Sequence, residues 1–304
     1  MSLHTRPGVL IYAAGSKEAT IMRELPRDLG SQVQAAIRED VGTGDVTAGF
    51  VPANQLAHGR VITREAAVLC GRAWVDEVFR QIDAGVRIRW HVEDGERINP
   101  AQNLFDIDGS ARSILTGERA ALNFLQLLSA TATEARRYVE AIAGTGCTIL
   151  DTRKTLPGLR TAQKYAVSCG GASNHRMGLY DMVLVKENHI AAAGSLTQAV
   201  QSARRHVPGL KVEVEVETMQ ELEEAIVARP DIIMLDNFSL PEMRKAVGVN
   251  REHGRHAKLE ASGNVTLDNV REIAETGVDF ISVGGITKHV RAVDLSMRLE
   301  FRNA

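Results

Sequence analysis

Two textures of apolar spacing divide the chain near Cys147. Before it the pattern is mixed. Val33, Ala36 and Ile37 fall on one helical face, and that helix stops near Gly42-Thr43-Gly44. Gly59–Thr63 reads as a strand, Arg72–Ile82 as a helix, and the alternation Val86-Arg87-Ile88-Arg89-Trp90 as a half-buried strand. Asp94-Gly95-Glu96 and Asp108-Gly109 are turn signals bracketing further short strands. A long helix is predicted from about Thr116 through Ala143, because Leu122, Leu125, Leu128 and Ala132 keep helical spacing. Thr116 is its expected N-cap, with Glu118 in the first turn. Residues 1–25 carry no clear periodicity and are set aside as a leader, whose apolar stretch Val9–Ala14 is too short for a signal peptide.

After Cys147, strands alternate with amphipathic helices. The predicted strands are Thr148–Thr152, Met182–Lys186, Lys211–Val216, Ile232–Asp236, Lys258–Ser262 and Phe280–Gly284. Met219, Leu222, Ala225 and Ile226 line one intervening helix, and Val270, Ile273 and Ala274 another. Six successive β-then-α units mean an α/β fold with a parallel sheet, since parallel strands need crossovers of this size. A (β/α) barrel fits better than a Rossmann sheet, because no G-x-G-x-x-G follows the first strand. The tail Val293–Phe301 follows the last strand and is expected to return to the first domain.

Composition narrows the function. The 36 Lys+Arg nearly balance the 38 Asp+Glu, which argues against nucleic-acid binding through a basic surface and against a polybasic membrane patch. The three cysteines are far apart with no C-x-x-C pair, so neither a zinc site nor a disulfide framework is expected, and the chain reads as cytoplasmic. No apolar run approaches the roughly 20 residues of a membrane helix.

Candidate chemistry collects at the C-terminal ends of the predicted strands, where barrels bind ligands. Those ends read Asp151-Thr152-Arg153-Lys154, Lys186-Glu187-Asn188-His189, Glu215, Asp236-Asn237, Ser262-Gly263-Asn264 and Gly284-Gly285. One polar cluster would be ordinary loop solvation; six in succession after apolar strand bodies indicate a site. Arg153, Lys154, His175, Arg176 and Lys186 form its cationic side, and Glu215 and Asp236 its anionic counterweight. Adjacent Arg153 and Lys154 repel unless an anion sits between them. His175-Arg176 follows the glycine-rich stretch Gly170–Asn174, which by itself reads equally well as a flexible connector. Lys211–Glu217 alternates Val and Glu: an edge strand with one solvated face, or a buried strand with at least one Glu in the barrel mouth. Ser262-Gly263-Asn264 and Gly284-Gly285 end the last two strands, where backbone N–H groups often hold phosphate.

These strings, in this order, resemble the quinolinate phosphoribosyltransferase family. The matching stretches are Glu39-Asp40 with Gly44-Asp45-Val46-Thr47, Glu118–Asn123, Asp151–Thr155, Gly170–Arg176, Val185–His189, Glu213–Glu217, Leu235–Asn237 and Ser282–Gly285, with Gly285 standing where many relatives have Ala. The resemblance implies an α/β sandwich domain (26–121 with 290–304) and an incomplete α/β barrel (122–289). It further implies Mg²⁺-dependent joining of quinolinate to phosphoribosyl pyrophosphate, giving nicotinate mononucleotide, pyrophosphate and CO₂ on the route to NAD. By this analogy Arg153, His175 and Arg176 hold quinolinate, with Arg119 reaching in from the neighbouring subunit of a homodimer, itself able to build a hexamer. Lys154 and Lys186 face the substrates' anionic groups, Glu215 and Asp236 serve the ribose hydroxyls and Mg²⁺, and Ser262, Gly263, Asn264, Gly284 and Gly285 cradle the 5′-phosphate. Three other readings compete: a paralogous phosphoribosyltransferase for another acid, a Schiff-base aldolase using Lys186, and a non-catalytic anion sensor.

Overall fold

The computed structural model describes residues 24–302; the leader assigned to residues 1–25 lies almost wholly outside them. The first half is built on an antiparallel four-stranded sheet. In chain order its elements are α1 (Leu29–Val41), β1 (Leu56–Thr63), β2 (Ala67–Val68), α2 (Arg72–Ile82), β3 (Arg87–Trp90), β4 (Arg97–Ile98) and β5 (Asn103–Ser110). The strand order is β12-β1-β5-β3, where β12 (Leu295–Arg302) comes from the tail and pairs antiparallel along the full length of β1. The little β2-β4 ladder stands apart. Trp74, Val75, Val78 and Phe79 of α2 are fully or almost fully buried, together with Val61, Leu104, Phe105 and Ile107 of the sheet.

The long helix α3 (Ala111–Ala141) is the spine of the molecule. Its first four turns and middle belong to the core under the antiparallel sheet, and Ala135 and Tyr138 near its end belong to the second core. It begins earlier than its apolar spacing suggests. Ser110, not Thr116, is the N-cap, accepting from the Ser113 N–H at 3.4 Å. Thr116 instead donates from Oγ1 to Asp45 at 2.8 Å, and Asp45 also accepts the Thr47 and Ala48 N–H groups, which fixes the Gly44–Thr47 turn against the helix.

The second half contains β6 (Thr148–Leu150), α4 (Arg160–Cys169), β7 (Val183–Val185), α5 (Glu187–Ala193), α6 (Leu196–His206), β8 (Val212–Val216), α7 (Met219–Ala228), β9 (Ile232–Asp236), α8 (Leu240–Glu252), β10 (Lys258–Ser262), α9 (Val270–Ala274), β11 (Phe280–Ser282) and α10 (Gly285–Lys288). Its six strands are parallel, in the order β6-β11-β10-β9-β8-β7. One face packs on the helices through residues such as Val212, Val214, Ile233, Leu235, Leu259, Ala261 and Ile281, all at most 1% exposed. The other face carries the polar residues at the strands' C-terminal ends.

β6 and β7 follow each other in the chain yet lie at opposite ends of this order. The segment after α4 patches the free edge of β6: Ser173 forms a one-residue parallel bridge with Leu150, giving its N–H to Ile149 and accepting from Asp151. The glycine-rich stretch is therefore seated rather than a loose connector. At its head Gly170 lies so close to α3 that a β-carbon there would fall 2.4 Å from the Ala132 carbonyl oxygen.

Candidate active site

Asp151 organises the cationic side. It ends β6 fully buried and receives three donors: Lys164 Nζ, the His175 N–H at 2.9 Å and Asn174 Nδ2 at 2.7 Å. Lys164, also fully buried, reaches up from α4 and gives a second bond to the His175 carbonyl at 2.8 Å. Burial pushes the Asp151 carboxyl up and the Lys164 amine down, and their mutual attraction opposes both shifts. The hydrogen bonds on both partners hold the pair charged. One buried ion pair thus clamps the 151–154 segment to the 174–176 segment.

That clamp holds the segments carrying Arg153 and Arg176 near each other. Arg176, desolvated and within reach of the Arg153 charge, has its pKa lowered. Arg176 Nη1 donates to the Met182 carbonyl at 3.2 Å, while Arg153 Nε is buried without a hydrogen-bond partner among the described residues. Two neighbouring guanidinium groups with an unused donor suit a planar carboxylate. His175 sits differently from the other cations. It is 6% exposed, with Nδ1 accepting the Arg176 N–H at 2.8 Å and Nε2 turned toward the sheet. Burial pushes its pKa down, so the ring is held less readily as a cation than an exposed histidine.

The acids come from β8, β9 and β10. β8 lies between β7 and β9, so its glutamate row belongs to an internal strand and the edge-strand reading fails. Glu215 pairs with Lys186 from the end of β7, and the carboxylates of Glu215, Glu217 and Asp236 come within 4.8 Å of one another. That convergence of hard oxygen donors fits a Mg²⁺ ion. Deeper lie Glu213 and Glu260, both completely buried, beside His175 Nε2 at 2.9 and 3.6 Å. Burial pushes both carboxyls up to about 8. Sequence reasoning did not single out either glutamate as a site residue. The signal was present in Leu259-Glu260-Ala261, an acid in the middle of an apolar parallel strand.

The strand ends of β9, β10 and β11 border a cleft of about 490 Å³, lined among others by Thr152, Lys154, Asp236, Ser262, Gly284 and Gly285. Asn237 and Asn264 both adopt left-handed backbone and bond to each other, Asn264 Nδ2 donating to Asn237 Oδ1 at 3.2 Å. Between them Gly263 has φ +100°, and a β-carbon would lie 2.2 Å from Asn237 Oδ1, so only glycine fits. Gly285 is the opposite case: a β-carbon would meet nothing nearer than Val283 Cγ1 at 3.9 Å, so alanine fits there. Lys288 and His289 line the same cleft and were not anticipated; they follow Gly284-Gly285 by one helical turn, where a basic residue faces the same loop.

Two family models match consecutive parts of the chain: the quinolinate phosphoribosyl transferase N-terminal domain over residues 43–129 and the C-terminal domain over residues 131–298. The chain belongs to the quinolinate phosphoribosyltransferase family. Among relatives, the probable carboxylating nicotinate-nucleotide pyrophosphorylase of Synechocystis is 41% identical over 268 residues, 88% of this chain and 91% of that one. The Mycobacterium leprae carboxylating enzyme of the same name is 40% identical, covering 88% and 95%. The solved nicotinate-nucleotide pyrophosphorylase of Francisella tularensis superposes with a TM-score of 0.88 at 44% identity, covering 91% of this chain and 98% of that one. Lys154, Asp236 and the loops at Ser262–Asn264 and Gly284-Gly285 line one cleft, and Glu215, paired with Lys186, lies near Asp236. Arg119 is exposed on α3 and does not line its own chain's cleft. Among the described residues no helix is long and apolar enough to cross a membrane.

Proposed function

We infer that the chain transfers the phosphoribosyl group of phosphoribosyl pyrophosphate to quinolinate with loss of CO₂, giving nicotinate mononucleotide and pyrophosphate. The observation that carries this is the charge-coupled pair Arg153 and Arg176, with Arg153 flanked in the chain by Thr152 and Lys154 of a polar cleft that ends in glycine-rich loops. A dicarboxylate pyridine and a phosphorylated sugar need just those two compartments, adjacent. In this reading residues 122–289 make an incomplete α/β barrel, its gap between β6 and β7, and residues 26–121 with 290–304 a sandwich domain, the two joined through the continuous helix α3.

In the reaction, Arg153 and Arg176 hold the two carboxylates in plane, so the pyridine nitrogen is aimed at the ribose anomeric carbon. Lys154, with Lys288 beside it, draws charge from the leaving pyrophosphate. The loops at Ser262–Asn264 and Gly284-Gly285 fix the 5′-phosphate through backbone N–H groups. Glu215 and Asp236 lie where positive charge grows on the ribose, and they stabilise that oxocarbenium-like state. Glu215, Asp236 and Glu217 would hold Mg²⁺, which when bound would supply positive charge to offset that of the pyrophosphate. After the C–N bond forms, the pyridinium accepts the electron pair left at C2 as that carboxylate departs as CO₂, and a proton then takes its place. Lys186 serves as an ammonium paired to Glu215, which does not suit a Schiff-base nucleophile.

The protein works as a homodimer in this reading. Val46 and Phe50, at 84% and 88% exposed, lie in the segment that Asp45 anchors to α3, the helix that carries Arg119. A partner covering that surface brings Arg119 to a neighbouring site. The test is direct. Purified protein mixed with quinolinate, phosphoribosyl pyrophosphate and Mg²⁺ should release CO₂ and nicotinate mononucleotide in equal amounts; no product from folded protein would refute the assignment.

A further inference from the structure

We propose that Glu213 and Glu260 are positioning residues for the acid substrate: from beneath, they hold His175 in the single tautomer that fixes Arg176. The inference rests on the quinolinate reading. It begins from a backbone group whose role is not in question. The Arg176 N–H is always a donor, and it points at His175 Nδ1 from 2.8 Å. Nδ1 is therefore the bare nitrogen, and the ring's proton is on Nε2. Nε2 faces Glu213 Oε2 at 2.9 Å and Glu260 Oε2 at 3.6 Å, and a carboxyl oxygen, ionised or not, offers lone pairs to a proton on that nitrogen.

The same geometry argues against the other use of this trio. His175, Glu213 and Glu260 lie close enough together to suggest a metal site. A metal would need the Nε2 lone pair and drive the proton to Nδ1, against the Arg176 N–H. The trio is thus a support. Glu213 and Glu260 lie against each other, with the Ser282 hydroxyl against Glu260, and both reach the Nε2 side of the His175 ring. Two fully buried acids in the middle of parallel strands are costly where Val or Leu would pack, which leaves the ring above them as their use. The other charged groups acting on the trio are Arg176, Glu215 and Lys186 on Glu213, and Asp151, Lys164 and Arg176 on His175; the Ser282 hydroxyl lies against Glu260. Arg176 is the link to substrate: the His175 ring accepts from its backbone N–H, the Met182 carbonyl accepts from its guanidinium, and the Arg153 charge acts on it.

The test uses the full chain with Glu213→Leu/Glu260→Leu and Glu213→Gln/Glu260→Gln. The leucine pair removes every acceptor below Nε2, whereas the glutamine pair keeps amide oxygens that accept from it. Histidine-selective ¹⁵N NMR of the unliganded protein reads the tautomer, and steady-state kinetics reads KM for each substrate. Wild type should show a bare Nδ1. The leucine pair should show a mixed or inverted tautomer, a quinolinate KM raised about tenfold or more through misplaced arginines, and a phosphoribosyl pyrophosphate KM within about twofold. Its thermal midpoint should not fall, because buried acids are replaced by apolar groups, so lost binding cannot be ascribed to unfolding. The glutamine pair should restore the quinolinate KM to within about threefold of wild type. A protonated Nδ1 in wild type, an unchanged quinolinate KM in the leucine pair, or an equal rise in both KM values would overturn the proposal. If wild type fails to turn over quinolinate, the substrate reading fails, while the NMR arm still decides whether the glutamates set the tautomer.

Discussion

Lys164→Met tests the clamp beneath the arginines. The substitution keeps the length and apolar stem of the side chain and removes only the ammonium. Asp151 is then left fully buried with two neutral donors, the His175 N–H and Asn174 Nδ2, and no counter-charge. Breaking a buried pair by removing one partner costs about 3–5 kcal/mol, a large share of the roughly 5–15 kcal/mol that holds a typical domain together. For a chain of 304 residues, at about 2.1 cal/mol/K of unfolding entropy per residue, that corresponds to a fall in melting temperature of roughly 5–8 °C. The sign of the pH dependence follows from the carboxyl. Burial already raises Asp151 above its ordinary value, and without Lys164 it rises further. An acid whose folded pKa is raised loses stability as pH climbs from its unfolded pKa through its folded one, so the deficit of the variant should shrink between pH 7 and pH 5. Adding Asp151→Asn removes the orphaned charge and should recover part of the loss. Calorimetry or urea unfolding of wild type, the single and the double variant measures all three quantities. A cost under about 1 kcal/mol, or a double variant no better than additive, would show that Lys164 is not the counter-charge.

Nicotinic acid, which lacks the C2 carboxylate, should be a very poor substrate, because it leaves a partly desolvated guanidinium unpaired at about 1–3 kcal/mol each; comparable kcat/KM values for the two acids would remove the quinolinate assignment. Arg119→Ala and Arg153→Ala should each be nearly inactive as homodimers, yet regain about a quarter of wild-type activity when reassorted at random, since each mixed dimer has one whole site. After co-expression the isolated heterodimer, with one of its two sites whole, should show about half of wild-type activity, and none there would place Arg119 in its own subunit's site. Cys147 should resist alkylation at pH 8, since burial pushes its thiol up to about 12, and Cys70 and Cys169 are buried as well. A thiol titrating readily in the native protein would contradict that placement, and denaturation should expose all three.

The repeating units were legible because parallel strands buried on both faces leave continuous apolar runs, which hydrophobic spacing detects. The α2 helix was readable to its ends for the related reason that its apolar stripe is unbroken from Trp74 to Phe79. The start of α3 was not. Thr116 looks like a cap by residue type, but a tertiary contact, its bond to Asp45, claims the hydroxyl, and the helix runs back to Ser110. At the site, charged strand ends announced Arg153, Lys154, Lys186, Glu215 and Asp236, because polar groups ending apolar strands have few structural uses. Glu213 and Glu260 escaped because an acid in mid-strand reads as a solvated face until the neighbouring strands are known. His175 was legible as a neighbour of the site but not in its orientation. Its ring is met by the Arg176 N–H on one side and by Glu213 and Glu260 on the other, contacts that depend on strand order and leave no trace in periodicity.

The pairing of β1 with β12 bears on how the molecule is made. During synthesis β1 emerges among the first elements, whereas its edge partner emerges only after every strand of the parallel sheet. The antiparallel sheet must wait with one long edge bare, an arrangement that slows folding and invites pairing with a stranger. The parallel half has no such delay, for its strands pair with sequence neighbours except where β6 meets β11. The ribosome thus delivers a nearly finished catalytic half before its companion can close, and a nascent chain stalled before Leu295 would display an open edge to the quality-control machinery of the cell.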